Sequence, residues 1–285
     1  MLGDLTDNLI RNAATEENLD DLYQLYEEGR FGEARVLIDA QYFERFVRFA
    51  ENCLSKIEKV FPELVDEIIQ DIVNCNSVKM HTIREGGWIV ASSGPFLVDV
   101  RVVRGGNKYC SASPCLSATR NLDRNALRYR RFVSDDLLSQ QSLVNVDSFE
   151  FEGIPREIVC SNGLESLVIC EEGEAIVLCL TCMPFGPYDL IFDAETLQLV
   201  GKFQADPRDS AISVALRIFA AGRWAGGREF AEKYAGSEVR ETRWAALNYF
   251  WRAGQPEAKA HIAKFFSDPD SNIAALAHQA MARLN

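Results

Sequence analysis

Histidine is scarce in this chain: three residues in 285, His81, His261 and His278. A Cys/His or Ser/His catalytic pair would therefore have to be assembled across distant segments. There is no P-loop, no dinucleotide glycine fingerprint, no Gly-x-Ser-x-Gly elbow and no His-Glu-x-x-His site. Their absence removes the mechanisms that a local motif announces. No apolar run reaches membrane-spanning length, so no membrane partner is expected. Asp4 and Asp7 stand where a secretory leader would have a basic start and an apolar stretch, and the expectation is a cytoplasmic protein. With 47% apolar and 25% charged residues, the composition is that of a globular chain long enough for two or three structural units.

Eight cysteines are present, and most lie inside apolar runs, as reduced thiols acting as small hydrophobes do. Cys179 and Cys182 have the spacing of a zinc half-site, but the run around them reads as a strand. Residues three apart on a strand face opposite ways, so no metal is expected.

The net charge of −12 is uneven: residues 1–77 carry −10, residues 78–204 carry −4 and residues 205–285 carry +2. An acidic front repels nucleic acid and favours a basic protein partner. Residues 1–77 form the first expected domain, an acidic helical region. Leu19, Leu22, Tyr23, Leu25 and Tyr26 repeat at helix spacing, Gly29-Arg30-Phe31-Gly32 interrupts, and Ala34 to Ile38 resume, which predicts a helical hairpin. A third helix runs through Phe43, Phe46 and Leu54 to Phe61, and Pro62 is expected to restart the chain into a fourth. Glu27, Glu28 and Glu33 on this region are the candidate partner-binding acids.

From Trp88 the period changes to two. Phe96, Val98, Val100 and Val102 alternate with Leu97, Asp99, Arg101 and Val103, and short turn-like separators such as Gly105-Gly106-Asn107, Gly153-Ile154-Pro155 and Ser161-Asn162-Gly163 follow one another. Residues 78–204 should form a β-rich module of seven or eight strands in an antiparallel meander. Within it, Thr119 to Arg131 breaks the strand pattern. As a helix it would set Arg120, Arg124 and Arg128 one turn apart, with Arg131 close by. Arginine forks bind carboxylate or phosphate in pairs, so these four are the candidate anion- or partner-binding residues, the acidic helices of the same chain being a further possible occupant. Asp135-Asp136 and Glu171-Glu172 read as solvated turns.

Residues 205–285 are helical, Ala-rich and repetitive. Val239 to Phe250 aligns with Ile273 to Leu284 at an offset of 34, matching Val239 with Ile273, Ala246 with Ala280, Leu247 with Met281 and Phe250 with Leu284. Ser267-Asp268-Pro269-Asp270-Ser271-Asn272 supplies an acidic Asp-Pro turn before the second copy. This region resembles the HEAT repeat family. Trp244 and His278 stand where that pattern is usually small, Arg240 has no counterpart at Ala274, and the last pair lacks its second helix. Residues 25–34 are in addition similar to the turn of a single tetratricopeptide repeat. The HEAT resemblance implies stacked helical hairpins with Val214, Leu216, Leu247, Phe250, Ile262, Phe266, Ile273 and Leu284 in the seam, and a surface suited to binding protein.

The expected fold class is α+β: N-terminal helices, an antiparallel β-rich middle module and C-terminal HEAT-like hairpins. The expected function is non-enzymatic protein binding, by an adaptor, inhibitor or immunity-type neutraliser of a basic partner, with no cofactor. The alternative is an enzyme or ligand-binding protein that takes a small anionic or phosphate-containing molecule through the arginine-rich segment.

Overall fold

A computed structural model describes residues 2–73, 88–123, 125–154, 156–205, 207–222, 226–253 and 258–284. It is α+β, with helices at both ends and antiparallel sheets between, and it divides into two compact units, residues 1–205 and 206–285.

The first unit begins with three helices, α1 (Leu2–Glu16), α2 (Asp20–Glu27) and α3 (Ala40–Val73). The segment expected to be the second helix of a hairpin is instead a short 3-10 turn, Phe31–Val36, which buries Phe31 and Ala34 and leaves Val36 in solvent. The reason lies at its far end: the Asp39 carboxylate accepts a bond from the Tyr42 backbone N–H at 2.7 Å, capping a new helix and ending the old one. Pro62 does not restart the chain, since α3 runs through it. Ile57 is fully buried just before it and Val60 and Phe61 pack on the core. Tertiary packing thus holds the helix on course across the missing N–H.

Among the described residues eleven strands follow: β1 (Trp88–Ser93), β2 (Phe96–Arg104), β3 (Tyr109–Ala112), β4 (Leu116–Asn121), β5 (Leu127–Val133), β6 (Asp147–Gly153), β7 (Ile158–Asn162), β8 (Ser166–Glu172), β9 (Glu174–Cys182), β10 (Tyr188–Asp193) and β11 (Leu199–Gln204). They do not form a meander. One sheet has the order β1-β2-β9-β4-β7, a second β11-β10-β3 and a third β6-β5-β8, and β3 lies beside β8. Setting β1, β10 and β11 apart as additions, the order β2-β9-β4-β7 faces β3-β8-β5-β6. That is the eight-strand, double Greek-key order of a jelly roll. The short separators around Gly105, Gly163 and Gly173 are therefore corners between sheets, where a hairpin reading of the same residues would join neighbours. Gly163 shows why such a corner needs glycine: its N–H bonds the Cys115 carbonyl at 3.0 Å, and a Cβ there would sit 1.7 Å from the Ser113 carbonyl oxygen.

The helices pack on the outer face of the five-stranded sheet and share one core with it, from Phe46, Phe49 and Leu54 to Phe96, Val98, Leu178 and Leu180. Phe49 and Phe96 meet at 4.7 Å between ring centroids. At the β1–β2 hairpin Gly94 has φ +53°, and a Cβ there would lie 2.4 Å from the Tyr23 ring.

The second unit holds α4 (Pro207–Gly222), α5 (Gly227–Tyr234), α6 (Arg240–Ala253), α7 (Ala258–Ala263) and α8 (Ser271–Leu284). α6 is the centre, packed by α4, α5, α7 and α8, and Ala245 to Phe250 are all buried along it. Leu216, Leu247, Phe250, Ile262 and Ile273 lie in this core, with Phe266 and Leu284 packed against it. Val214, expected in the seam, is instead exposed: two residues from Leu216, it falls on the opposite side of α4. Asp270 caps α8 by accepting from the N–H groups of Asn272 and Ile273.

Candidate functional site: a polar cavity inside the jelly roll

The arginine-rich segment is not a helix. Arg120 is the next-to-last residue of β4, Arg128 and Arg131 belong to β5, and Arg124, on the connection between them, lies outside the described residues. Asn121 decides this locally: its amide donates to the Asn125 carbonyl at 2.6 Å and its side-chain oxygen accepts from the Asp123 N–H at 2.9 Å. Such an Asx-type closure competes with a helix and stops β4.

The arginines then part company. Arg120 donates through Nε to Glu58 of α3 at 2.7 Å, both side chains largely buried. Arg128 pairs with Glu150 at 2.6 Å and Glu172 at 3.5 Å, and its neighbour Arg130 pairs with Glu171 at 2.7 Å. Glu171-Glu172 is thus one side of an ion-pair ladder. Arg131 donates to the Cys160 carbonyl at 2.8 Å and lies over the rings of Phe149 and Phe151. Burial pulls its guanidinium below the usual range. Arg120, Arg128 and Arg131, three of the four candidates, thus serve three separate contacts.

The partner-binding acids are local pairs too. Glu28 and Glu33 clamp Arg30 at 2.8 and 2.6 Å, and Glu27 lies 3.8 Å from Arg11. The hydrogen bonds from Gln24 and Arg30 hold the Glu28 carboxyl below its ordinary range, and the bond from Arg30 does the same for Glu33.

The feature that the motif search missed is the inside of the barrel. A cavity of about 880 Å³ lies between the two sheets, with the exposed Arg104, Asn107, Lys108 and Tyr109 on its rim. Strand register orders its wall. In one row Leu97 of β2 stands beside Thr181 of β9, Thr181 beside Ser117 of β4, and Ser117 beside Ser161 of β7. Ser161 in turn donates to the Ser166 carbonyl at 2.8 Å. Neighbouring strands are about 4.8 Å apart, so three hydroxyls form a ladder across three strands. The next row is Asp99, Cys179, Thr119 and Val159, where Thr119 Oγ1 lies 3.5 Å from Cys179 Sγ. Ser111, Ser113, Ser166, Tyr129, Val168 and Cys170 also line it.

Charge in the cavity is internally matched. Asp99 is fully buried and accepts two bonds from Arg101, Nε to Oδ1 and Nη2 to Oδ2, each 2.6 Å. Arg104 on the rim pairs with Glu174 at 3.0 Å. Burial pushes the Tyr129 phenol up, so it stays protonated and able to donate. Burial also pushes up the thiols: Cys115 to about 12, and Cys170 and Cys182 likewise upward. Cys179 lines the cavity whereas Cys182 belongs to the outer core under the helices. The barrel strands contain no histidine, and among the described residues no three His, Cys, Asp or Glu side chains gather as metal ligands would. The wall is a hydrogen-bonding surface of hydroxyls, a phenol and thiols.

A second cleft, about 490 Å³, lies in the C-terminal unit. Arg243 fills its polar capacity internally, bonding Asp268 at 2.9 and 3.1 Å and the carbonyls of Ser237 and Glu238. It therefore reads as a structural tie between loops.

No family model matches the chain, and no curated protein matches it. Solved structures overlap weakly. Ectoine synthase from P. lautus matches at 10% identity and TM-score 0.22, over 32% of this chain and 55% of that one, so the chain spans about half of that enzyme. A cupin-2 domain containing protein from Shewanella frigidimarina matches at 8% identity and TM-score 0.23, over 39% and 89%. An HTH_3 family transcriptional regulator from Vibrio cholerae matches at 10% identity and TM-score 0.25, over 62% and 94%. Overlaps this slight carry no argument, and the jelly roll rests on strand order. Among the described residues no helix is long and apolar enough to cross a membrane.

Proposed function

We propose that the first unit is a small-molecule-binding module whose ligand sits inside the jelly roll. What carries the reading is the cavity of about 880 Å³ walled by the Thr181–Ser117–Ser161 ladder. The Thr181, Ser117 and Ser161 side chains are half-buried and line the cavity, so they can hydrogen-bond a molecule that enters it, and the volume is that of a typical ligand pocket. The arginine-rich segment is replaced as the binding element, because Arg120 and Arg128 are spent on Glu58, Glu150 and Glu172. Filling the space with Thr181→Trp tests the proposal. Native mass spectrometry and thermal-shift screening should find a small molecule bound to the wild type and lost from the variant. An identical ligand response in the two proteins would place the site elsewhere.

For the C-terminal unit we propose a HEAT-like stack that binds protein. Its support is α4, whose Val214 and Ile218 stand one turn apart and half exposed, with Arg217 between them over the Trp244 ring. Affinity-purified partners should be lost on Val214→Asp and Ile218→Asp with melting unchanged. Retention by both variants would end this reading.

A further inference from the structure

We infer that the ligand of the barrel is an uncharged, polyhydroxylated small molecule, of the sugar or cyclic-polyol class, and not the anion expected from the arginine content. The inference rests on the cavity reading above and adds the ligand's chemistry.

Charge is the first ground. The ionic groups that line or pair at the cavity are Arg101, Arg104 and Lys108 against Asp99, Glu174 and Asp189. Three cations meet three anions, and the site is formally neutral. Arg101, the cation set furthest inside, is fixed on a carboxylate with no exposure at all. A guanidinium held in that way presents oriented N–H groups without surplus positive charge. A phosphate or multiple carboxylate entering past the rim would lose its water and meet Arg101, already held by Asp99, which disfavours it by the desolvation cost of a buried charge.

Hydroxyl chemistry is the second ground. The lining holds five serines and two threonines, Ser111, Ser113, Ser117, Ser161, Ser166, Thr119 and Thr181. A hydroxyl has both donor and acceptor capacity; Ser161 and Ser166 use part of theirs on their own loop, and the remaining donors and acceptors of the wall match the hydroxyls of a polyol, which also do both. An ionised phosphate or carboxylate group offers acceptors alone and would leave unused the accepting half of the hydroxyls it meets.

The third ground is the remaining surface. Tyr129 is buried in the lining, stacked on Phe151 with 5.4 Å between centroids and a 23° tilt, beside the apolar Val159, Val168 and Val177. A polyol ring has apolar C–H faces and polar edges, and a wall part aromatic and part hydroxyl suits both. The exposed rim charges Arg104 and Lys108 lie at the entrance, where water screens them.

The test uses the full chain and two probe sets at millimolar concentration: D-glucose, D-galactose and myo-inositol against glucose 6-phosphate and citrate. Saturation-transfer NMR and calorimetry read the binding. At least one neutral probe should bind, with an affinity that hardly changes with salt. Ser117→Ala and Thr181→Val should each weaken it about tenfold, the loss of one hydrogen bond. Asp99→Asn frees the Arg101 charge and should move preference toward the anions; where that variant melts far below wild type, the hydroxyl variants alone decide. Binding of the anions in preference to the neutral probes, abolished by Thr181→Trp, overturns the ligand class and leaves the cavity standing. Binding that Thr181→Trp does not touch overturns the cavity itself. Failure of every neutral probe overturns the class.

Discussion

Asp99 and Arg101, two residues apart on β2, face the same way and are joined by two 2.6 Å hydrogen bonds, with the carboxylate wholly buried. A pair of this kind is strongly destabilised when it loses one member, because the other is left charged and dry, but weakly when it loses both. Arg101→Met should therefore cost roughly 3–5 kcal/mol in urea titration. The double change Asp99→Leu with Arg101→Met should recover most of the loss. A double variant as unstable as the single one would show that the pair contributes more than mutual neutralisation.

Arg120 and Glu58 tie α3 to the sheet, and the bond between them is largely shielded. Charged hydrogen bonds in such places contribute about 1.5–3 kcal/mol, with the lower end expected because Glu58 keeps partial solvent contact. Arg120→Leu should lower the denaturation midpoint accordingly. Reversing Glu27, Glu28 and Glu33 to Lys should leave it almost unchanged, since their partners Arg11 and Arg30 are exposed with them. Equal losses in the two variants would contradict this division of labour.

Among the described residues the seven cysteines, Cys53, Cys110, Cys115, Cys160, Cys170, Cys179 and Cys182, are free thiols. Desolvation pushes the Cys53, Cys115 and Cys160 thiols up from an ordinary 9.0 to about 12. Below pH 9 such a thiol is protonated in both states and its contribution to stability is whole; above pH 9 the unfolded thiol ionises first. That contribution fades as pH climbs from 9 toward 12, by up to about 1.4 kcal/mol per pH unit for each thiol. Stability should accordingly fall between pH 9 and 11, and Cys53→Ala should flatten that fall. Iodoacetamide at pH 8 should label these three only as fast as the protein unfolds. Rapid native labelling would mean they are not buried.

Much of this architecture can be read directly from side-chain periodicity. The α3 stripe from Phe46 to Ile57 and the alternation from Phe96 to Val103 announce one helix and one strand, because a packed face forces a period. The pairing of those strands is not legible in that way. A two- or three-residue separator such as Ser161-Asn162-Gly163 serves a hairpin or a sheet-to-sheet corner equally well, and what decides is the close approach of Gly163 to Ser113 across 50 residues. The cavity hides for a related reason. Asp99, Ser117, Thr119, Ser161 and Thr181 alternate with apolar residues as a solvent-facing edge would. Only the second sheet, closing over that face, turns a wet surface into an interior wall. Arg120 and Arg128 misled in the opposite sense: their spacing fits a helix, and the Asn121 side chain overrides it.

Leu247 and Val214 separate the core of the C-terminal unit from its surface. Leu247 is fully buried on α6 between Ala246 and Asn248, in the cluster that also holds Phe250 and Ile262. Cutting it to alanine removes three carbons' worth of buried contact and leaves a cavity that a nearly all-round buried helix cannot collapse, so the expected cost is about 2–5 kcal/mol. Val214 is 52% exposed on α4, and alanine there should change stability by less than about 0.5 kcal/mol. Helix propensity pushes slightly the other way, since alanine is the better helix former. Denaturant melts of the two variants in the full chain check the pair. The packing described for α6 requires a large loss for Leu247→Ala and almost none for Val214→Ala; comparable losses would mean that α4 is buried on its Val214 side and that the face offered to a protein partner is already covered.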